Sequence, residues 1–149
     1  MPQSLANLLT HLIFSTKHPE PFLAGKDLQR SAHAYLAAVL KDRKCQTVIV
    51  GGIANHVHIL CQLAKTESVS NLMEHLKASS SKWLKTQGVP MFTWQRGYGA
   101  FSVSQSQVDS VVAYIQNQEE HHRTITYEEE YRRFLTAYRM AFDERYVWD

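Results

Sequence analysis

Apolar positions along this chain follow two periods, and the switches between them outline its elements. Leu5 to Thr16 reads as a strand, ended by "KHPEP". Asp27 then precedes a helix whose apolar residues Leu28, Ala32, Tyr35, Leu36 and Val39 keep the 3.6-residue period. "CQTVIVGGI", Cys45 to Ile53, is a β-branched run stopped by two glycines, and "NHVHILCQL" follows after a tight turn, a hairpin signal. Val69, Leu72, Met73, Leu76, Trp83 and Leu84 mark a second amphipathic helix, closed by Gly88. "GYGAFSVS" reads as a short fourth strand. Ser106 and Asp109 form a capping-box-like start for a third helix, Gln107 to about His122. Thr126 and Glu129 start a fourth, with glutamates in the first turn, where the helix dipole favours them. The order βαββαβ plus two helices predicts an α+β, ferredoxin-like (split βαβ) domain over residues 1–149. Its four-stranded antiparallel sheet carries helices on one face, and its third strand is central.

Composition changes this picture little. An apolar fraction of 44% and a charged fraction of 20% fit a soluble globular chain. No run approaches the ~20 apolar residues of a membrane span, and the N-terminus lacks a secretory pattern. A cytoplasmic protein with no membrane partner is expected, with Cys45 and Cys61 as reduced core residues. The net charge of +2 hides an asymmetry: residues 1–100 carry 11 Lys+Arg against 5 Asp+Glu, and residues 101–149 carry 5 against 9. A basic body suits a polyanion-binding face, although ordinary surface charge gives the same count.

The hairpin raises a chemical question. Side chains alternate across a strand, so Val57, Ile59, Cys61 and Leu63 share one face, and His56, His58, Leu60 and Gln62 the other. The apolar set faces the covering helices, which leaves two imidazoles side by side on the opposite face of a stiff central strand. They can reach one metal ion, or be a half-exposed pair without function. On the third helix, Tyr114 and Gln118 are i, i+4 neighbours beside the stripe of Val108, Val111, Val112 and Ile115, and His121 and His122 extend that edge. This is either one wall of a site or a boundary tyrosine with a surface glutamine. Taken together, His56, His58 and Gln118 offer two imidazole nitrogens and an amide oxygen, all neutral. A divalent ion held that way keeps its charge and open positions for a phosphate oxygen. Tyr114, one turn away, is placed to attack the phosphorus.

"NHVHIL", "KASSSKW", "WQRGYGAFSVS", "YIQNQEEHH" and "DERYVWD" together resemble the single-tyrosine transposases of the HUH superfamily, the small TnpA-type enzymes of bacterial insertion sequences. The resemblance runs from "HLIFSTKH" to the last residue. It implies Tyr114 as nucleophile and His56, His58 and Gln118 as ligands of Mg²⁺ or Mn²⁺. It further implies cutting and rejoining of single-stranded DNA next to small hairpins through a 5′-phosphotyrosine, in a homodimer whose tyrosine helix can complete the partner's site. Asn55 stands where many relatives have Asp; as a weaker acceptor it still orients a histidine or caps the turn, so little effect is expected.

DNA binding needs further groups. Lys77, Lys82, Lys85 and Arg96 are candidates for backbone phosphates. Trp94 and Tyr98 are candidates for stacking unpaired bases, or else anchor their glycine-rich loop. His121 and His122 can contact phosphate or cap the helix end, and His11 on the first strand can neighbour the site. Two other functions share this pattern: a domesticated relative that processes chromosomal palindromes, and a non-catalytic single-stranded nucleic-acid-binding protein. A metal phosphodiesterase that uses water is a third.

Overall fold

In a computed structural model that describes residues 2–149, four strands form: β1 (Leu9–Ser15), β2 (Gln46–Ile53), β3 (His56–Gln62) and β4 (Gly99–Ser102). Five α-helices accompany them: α1 (Lys26–Asp42), α2 (Val69–Lys85), α3 (Val108–Gln116), α4 (Gln118–His121) and α5 (Tyr127–Ala137). The sheet order is β2-β3-β1-β4 with antiparallel neighbours throughout, the expected split βαβ topology with β3 inside. Ile53 lies opposite His56, so Ala54 and Asn55 make a two-residue turn. Gly52 before that turn has φ 146°, and a Cβ there would lie 2.2 Å from the His56 carbonyl oxygen. Only glycine fits.

Element ends differ from the sequence pattern for local reasons. β1 begins at Leu9 and not Leu5, because its first partner, Gln62, is the last residue of β3. α1 starts one residue before Asp27, with Gly25 at its N-cap. α2 stops at Lys85, where the Thr86 hydroxyl donates to the Trp83 carbonyl, and Gly88 sits in the following turn. The third helix is not continuous. A 3₁₀ turn over Gln105–Gln107 leads into α3, and Asn117 separates α3 from α4. The Ser106 cap does not form, since that hydroxyl pairs with Ser104 at 3.1 Å. The Thr126 cap does form and accepts the Glu129 N–H at 3.2 Å.

The sheet has a core on each face. Leu12, Phe14, Val57, Ile59 and Cys61 pack under Leu36 and Leu40 of α1 and Leu72, Leu76 and Leu84 of α2. On the other face Ile13 and Phe101 meet Tyr127, Tyr131 and Leu135 of α5, while α3 lies over β2 and β3. The first helix pair therefore covers one face as expected, and the C-terminal helices close the other over the histidines. Cys45 and Cys61 are buried free thiols, and burial pushes Cys61 up to about 12, an inert thiol. Among the described residues no helix is long and apolar enough to cross a membrane.

Candidate active site

Alternation along β3 puts His56 and His58 on the face turned to the C-terminal helices, where both are fully buried. The turn residue Asn55 orients His56: its amide nitrogen faces the Pro19 carbonyl, so its Oδ1 accepts the His56 Nδ1–H at 2.8 Å. That leaves His56 Nε2 directed at Gln118 Oε1, 2.9 Å away. His58 is held from β1, where His11 Nε2 meets its Nδ1 at 2.8 Å, and its Nε2 lies 2.9 Å from Glu130 Oε1. His11 thus belongs to the site, next to His58.

α3 brings the remaining groups. It settles closely on β2 because Gly51 has no side chain. A Cβ there would lie 2.7 Å from Ile115 Cγ2. Ile115 is the buried residue of α3, and Tyr114 next to it comes within 5.8 Å of the His58 ring, centroid to centroid. Although Asn117 breaks the helix, Gln118 stays one turn beyond Tyr114 and is buried. His121 Nε2 is 3.2 Å from the Tyr114 hydroxyl, and His122 Nε2 is 3.1 Å from Gln118 Oε1. The column of Tyr114, Gln118, His121 and His122 read from the sequence is one wall of a real cluster.

Glu130 is the residue that sequence reasoning missed. It is 1% exposed and lies at the centre of the cluster. Its Oε2 accepts the Tyr114 hydroxyl and, at 3.1 Å, the Gln118 amide. Its Oε1 faces His58 at 2.9 Å, His122 at 3.2 Å and His56 at 3.4 Å. A signal was present: Glu130 sits inside the α5 stripe of Tyr127, Tyr131, Phe134 and Leu135, where an acid has no ordinary place. A dipole explanation for the first-turn glutamates hid it.

Burial alone would raise the Glu130 carboxyl, but hydrogen bonds from His122, His56 and His58 outweigh it and hold the group well below the usual carboxylate range. Burial depresses His58 to about 4 and His11 to about 3, so both are neutral near pH 7. His122 goes the other way: burial lowers it, yet its bond to Glu130 leaves it raised. Tyr114 is held far above a normal phenol, first by burial, then by its hydrogen bond to Glu130 and by that group's charge.

This donor set fits a hard divalent ion. His56, His58 and Glu130 present ligand atoms within 4.8 Å of one another. The 2.9 Å from His56 to Gln118 and from His58 to Glu130 match the spacing of about 3 Å between adjacent ligands around an octahedral ion bound at about 2.1 Å. His56 Nε2 faces the oxygens of Gln118 and Glu130, a position that a cation can share with them.

The outlying candidates fare differently. Lys77 is not available for phosphate: its ammonium spends its three donors on the carbonyls of Gln95, Arg96 and Gly97, and burial lowers it to about 8. Trp94 is not a stacking platform, because Phe14 and Phe92 cover its ring at 4.8 and 4.7 Å and its Nε1 donates to Ser80. Tyr98 is half-buried below the Lys77 ammonium. Arg96 is exposed beside a cavity of about 590 Å³ lined by Lys17, His18 and Trp148. Lys82 and Lys85 are exposed on α2, across the sheet from the histidines.

Comparison with known proteins places this geometry in context. The sequence model of the family described as "Transposase IS200 like" matches residues 4–118. Among curated proteins, none matches the chain. A solved protein of Deinococcus radiodurans R1, described as a transposase, superposes with a TM-score of 0.63 at 19% identity, covering 79% of this chain and 98% of its own. A REP-associated tyrosine transposase solved with a REP hairpin superposes with a TM-score of 0.60 at 12% identity, covering 84% of this chain and 74% of its own. At these identities the two structures speak for the shared fold.

Proposed function

The chain belongs to the IS200-like transposase family, and on that premise we propose that it cuts and rejoins single-stranded DNA beside hairpins. In this reading Tyr114 is the nucleophile, and His56, His58 and Gln118 hold a divalent ion, Mg²⁺ or Mn²⁺. One observation carries it: the Tyr114 hydroxyl, the Nε2 atoms of His56 and His58 and the Gln118 amide N–H meet on a single buried carboxylate, with Gln118 Oε1 turned to His56 Nε2. The hairpin in the REP-associated relative supports the substrate class.

The ion supplies Lewis-acid polarisation of a phosphate oxygen when bound. The protein does the rest. Asn55 fixes the tautomer of His56 so that Nε2 keeps its lone pair for a cation, and His11 steadies the His58 ring. A cavity of about 290 Å³ lined by Tyr114, His121, Glu130, Arg133 and Phe134 opens on the phenol and gives a strand access. Arg133, exposed at its rim, meets the phosphate charge. The phenol gives up its proton to the groups that touch its hydroxyl, Glu130 Oε2 and His121 Nε2, as its oxygen bonds to phosphorus and the bond to the 3′ oxygen breaks. The leaving 3′ oxygen takes up a proton, and the downstream fragment stays on Tyr114 through its 5′ phosphate. Attack by a 3′-OH reverses the step and frees the tyrosine, so strands rejoin without a nucleotide cofactor.

The test is a denaturing gel of protein incubated with hairpin-bearing single-stranded DNA, with and without Mn²⁺. Wild-type protein should give a Mn²⁺-dependent covalent adduct, and Tyr114→Phe and His56→Ala should each reduce it at least 100-fold, on the order of a lost catalytic group. Strand cleavage that survives Tyr114→Phe would mean that water, and not the phenol, is the nucleophile.

A further inference from the structure

Among the described residues Glu130 is the one acidic residue buried as a whole, and it lies outside the segment that matches the family, residues 4–118. We propose that Glu130 is a two-handed ligand: Oε1 is a fourth protein ligand of the divalent ion, and Oε2 fixes the Tyr114 hydroxyl beside it. The inference rests on the cation site described above and adds the element that ties the nucleophile to it.

Three features point the same way. The first is placement. Oε1 lies 2.9 Å from His58 Nε2 and 3.4 Å from His56 Nε2, in the position next to both imidazoles, while Oε2 holds the phenol. Both oxygens belong to one rigid planar group, which would hold the phenol oxygen beside a bound ion. That is the geometry an attack on an ion-bound phosphate needs.

The second is charge. A carboxylate withdrawn from water needs compensation by cations. Among the described residues no Lys or Arg bonds to Glu130. Its partners are histidines, a glutamine amide and a tyrosine. His122 donates its Nδ1–H to the Ile125 carbonyl and turns Nε2 to oxygens of Gln118 and Glu130, so it too faces only acceptors. A hard dication at this point satisfies every one of those oxygens, and a carboxylate is the ligand such an ion prefers.

The third is anchoring. Thr126 caps α5 one turn before Glu130, and Tyr127, Tyr131 and Leu135 bury the same side of the helix. Glu130 is therefore presented from a fixed backbone and not from a loop.

Glu130→Gln separates these roles from plain packing. The amide keeps the shape but has one acceptor where the carboxylate has two, so it can serve the ion or the phenol and not both. Mn²⁺ affinity is measured on the whole protein by electron paramagnetic resonance of the free ion, beside wild type and His56→Ala, with circular dichroism as a check on folding. The expected result is a Kd raised at least 10-fold by Glu130→Gln, together with adduct formation that stays reduced at saturating Mn²⁺. Glu130→Asp keeps the charge but withdraws both oxygens by a methylene, and it should also weaken Mn²⁺ binding; it decides the matter if the glutamine variant does not fold. Mn²⁺ binding lost in His56→Ala but unchanged in Glu130→Gln and Glu130→Asp overturns this inference alone. No Mn²⁺ binding by wild-type protein overturns the cation site itself.

Discussion

His58 and His11 share a short contact inside a sheet face, and both are kept neutral by burial, at about 4 and about 3 against the ordinary 6.5. Between pH 6.5 and 4 the unfolded chain takes up protons that these two rings refuse in the folded state. Stability must therefore fall as pH drops through that window. His122, raised by Glu130, acts in the opposite sense at higher pH, where the folded protein binds the extra proton. The Glu130 contribution is present above about 4.5 and is lost as pH falls below it, toward its depressed folded value. Metal-free protein in a chelating buffer should thus lose Tm steadily from pH 6.5 to pH 4, as read by thermal melts. A Tm that stays level or rises across that range would contradict neutral, buried His11 and His58. Individual side chains were partly legible beforehand. His56 and His58 followed from alternation alone, and His11 only needed its register, since Ile13 faces His58 and places His11 one pair further along. Glu130 was hidden because a first-turn glutamate has a sufficient local explanation.

Helices and strands succeed or fail on close approaches. α3 carries Tyr114, and its height above β2 is set by Gly51, where an added Cβ would meet Ile115 Cγ2 at 2.7 Å and the Ile115 carbonyl oxygen at 3.0 Å. One of those atoms is backbone, so the helix itself must shift. Gly51→Ala should lower stability by about 1–3 kcal/mol, the range for overpacking. It should also slow adduct formation by about 100-fold, the scale of a misplacement near 1 Å. Denaturant melts and the adduct gel measure the two, and an unchanged adduct rate would mean that the α3 contact does not set the tyrosine. The periodicity located this helix but not its break. Asn117 interrupts the hydrogen-bond ladder while leaving Tyr114 and Gln118 in helical phase, so the i, i+4 relation survived an error in the element.

Across the whole molecule the site is assembled from β1, β3, α3, α4 and α5 of one chain. Family resemblance allows a tyrosine helix to act on a partner's site, yet here Tyr114 meets His58 and Glu130 of its own chain. A mixture of Tyr114→Phe and His56→Ala proteins should accordingly give no adduct, because neither chain holds a complete site. An adduct from that mixture, on the gel used above, would show exchange of the helix between copies. The C-terminal segment also binds distant parts together. Gln95 donates to the Val147 carbonyl at 2.9 Å and Gly97 to that of Asp149 at 2.8 Å, while Arg132 lies over Trp148. These ties, with Lys77 beneath, fasten the loop of Trp94 and Arg96 to the body and keep its tryptophan in the core. Nothing in "FTWQRGYG" discloses a lysine from another helix capping its carbonyls.

Periodicity by itself determined the βαββαβ order, the central place of β3, the histidine face of that strand and the cap of α5, because each is written in neighbouring residues. Only the tertiary structure decided that the C-terminal helices fold over the second sheet face, that Glu130 is the hub of the cluster, and that Lys77 and Trp94 turn inward. The reason is distance along the chain. His56 meets Gln118 across 62 residues and His58 meets Glu130 across 72, and contacts of that separation leave no local periodic trace.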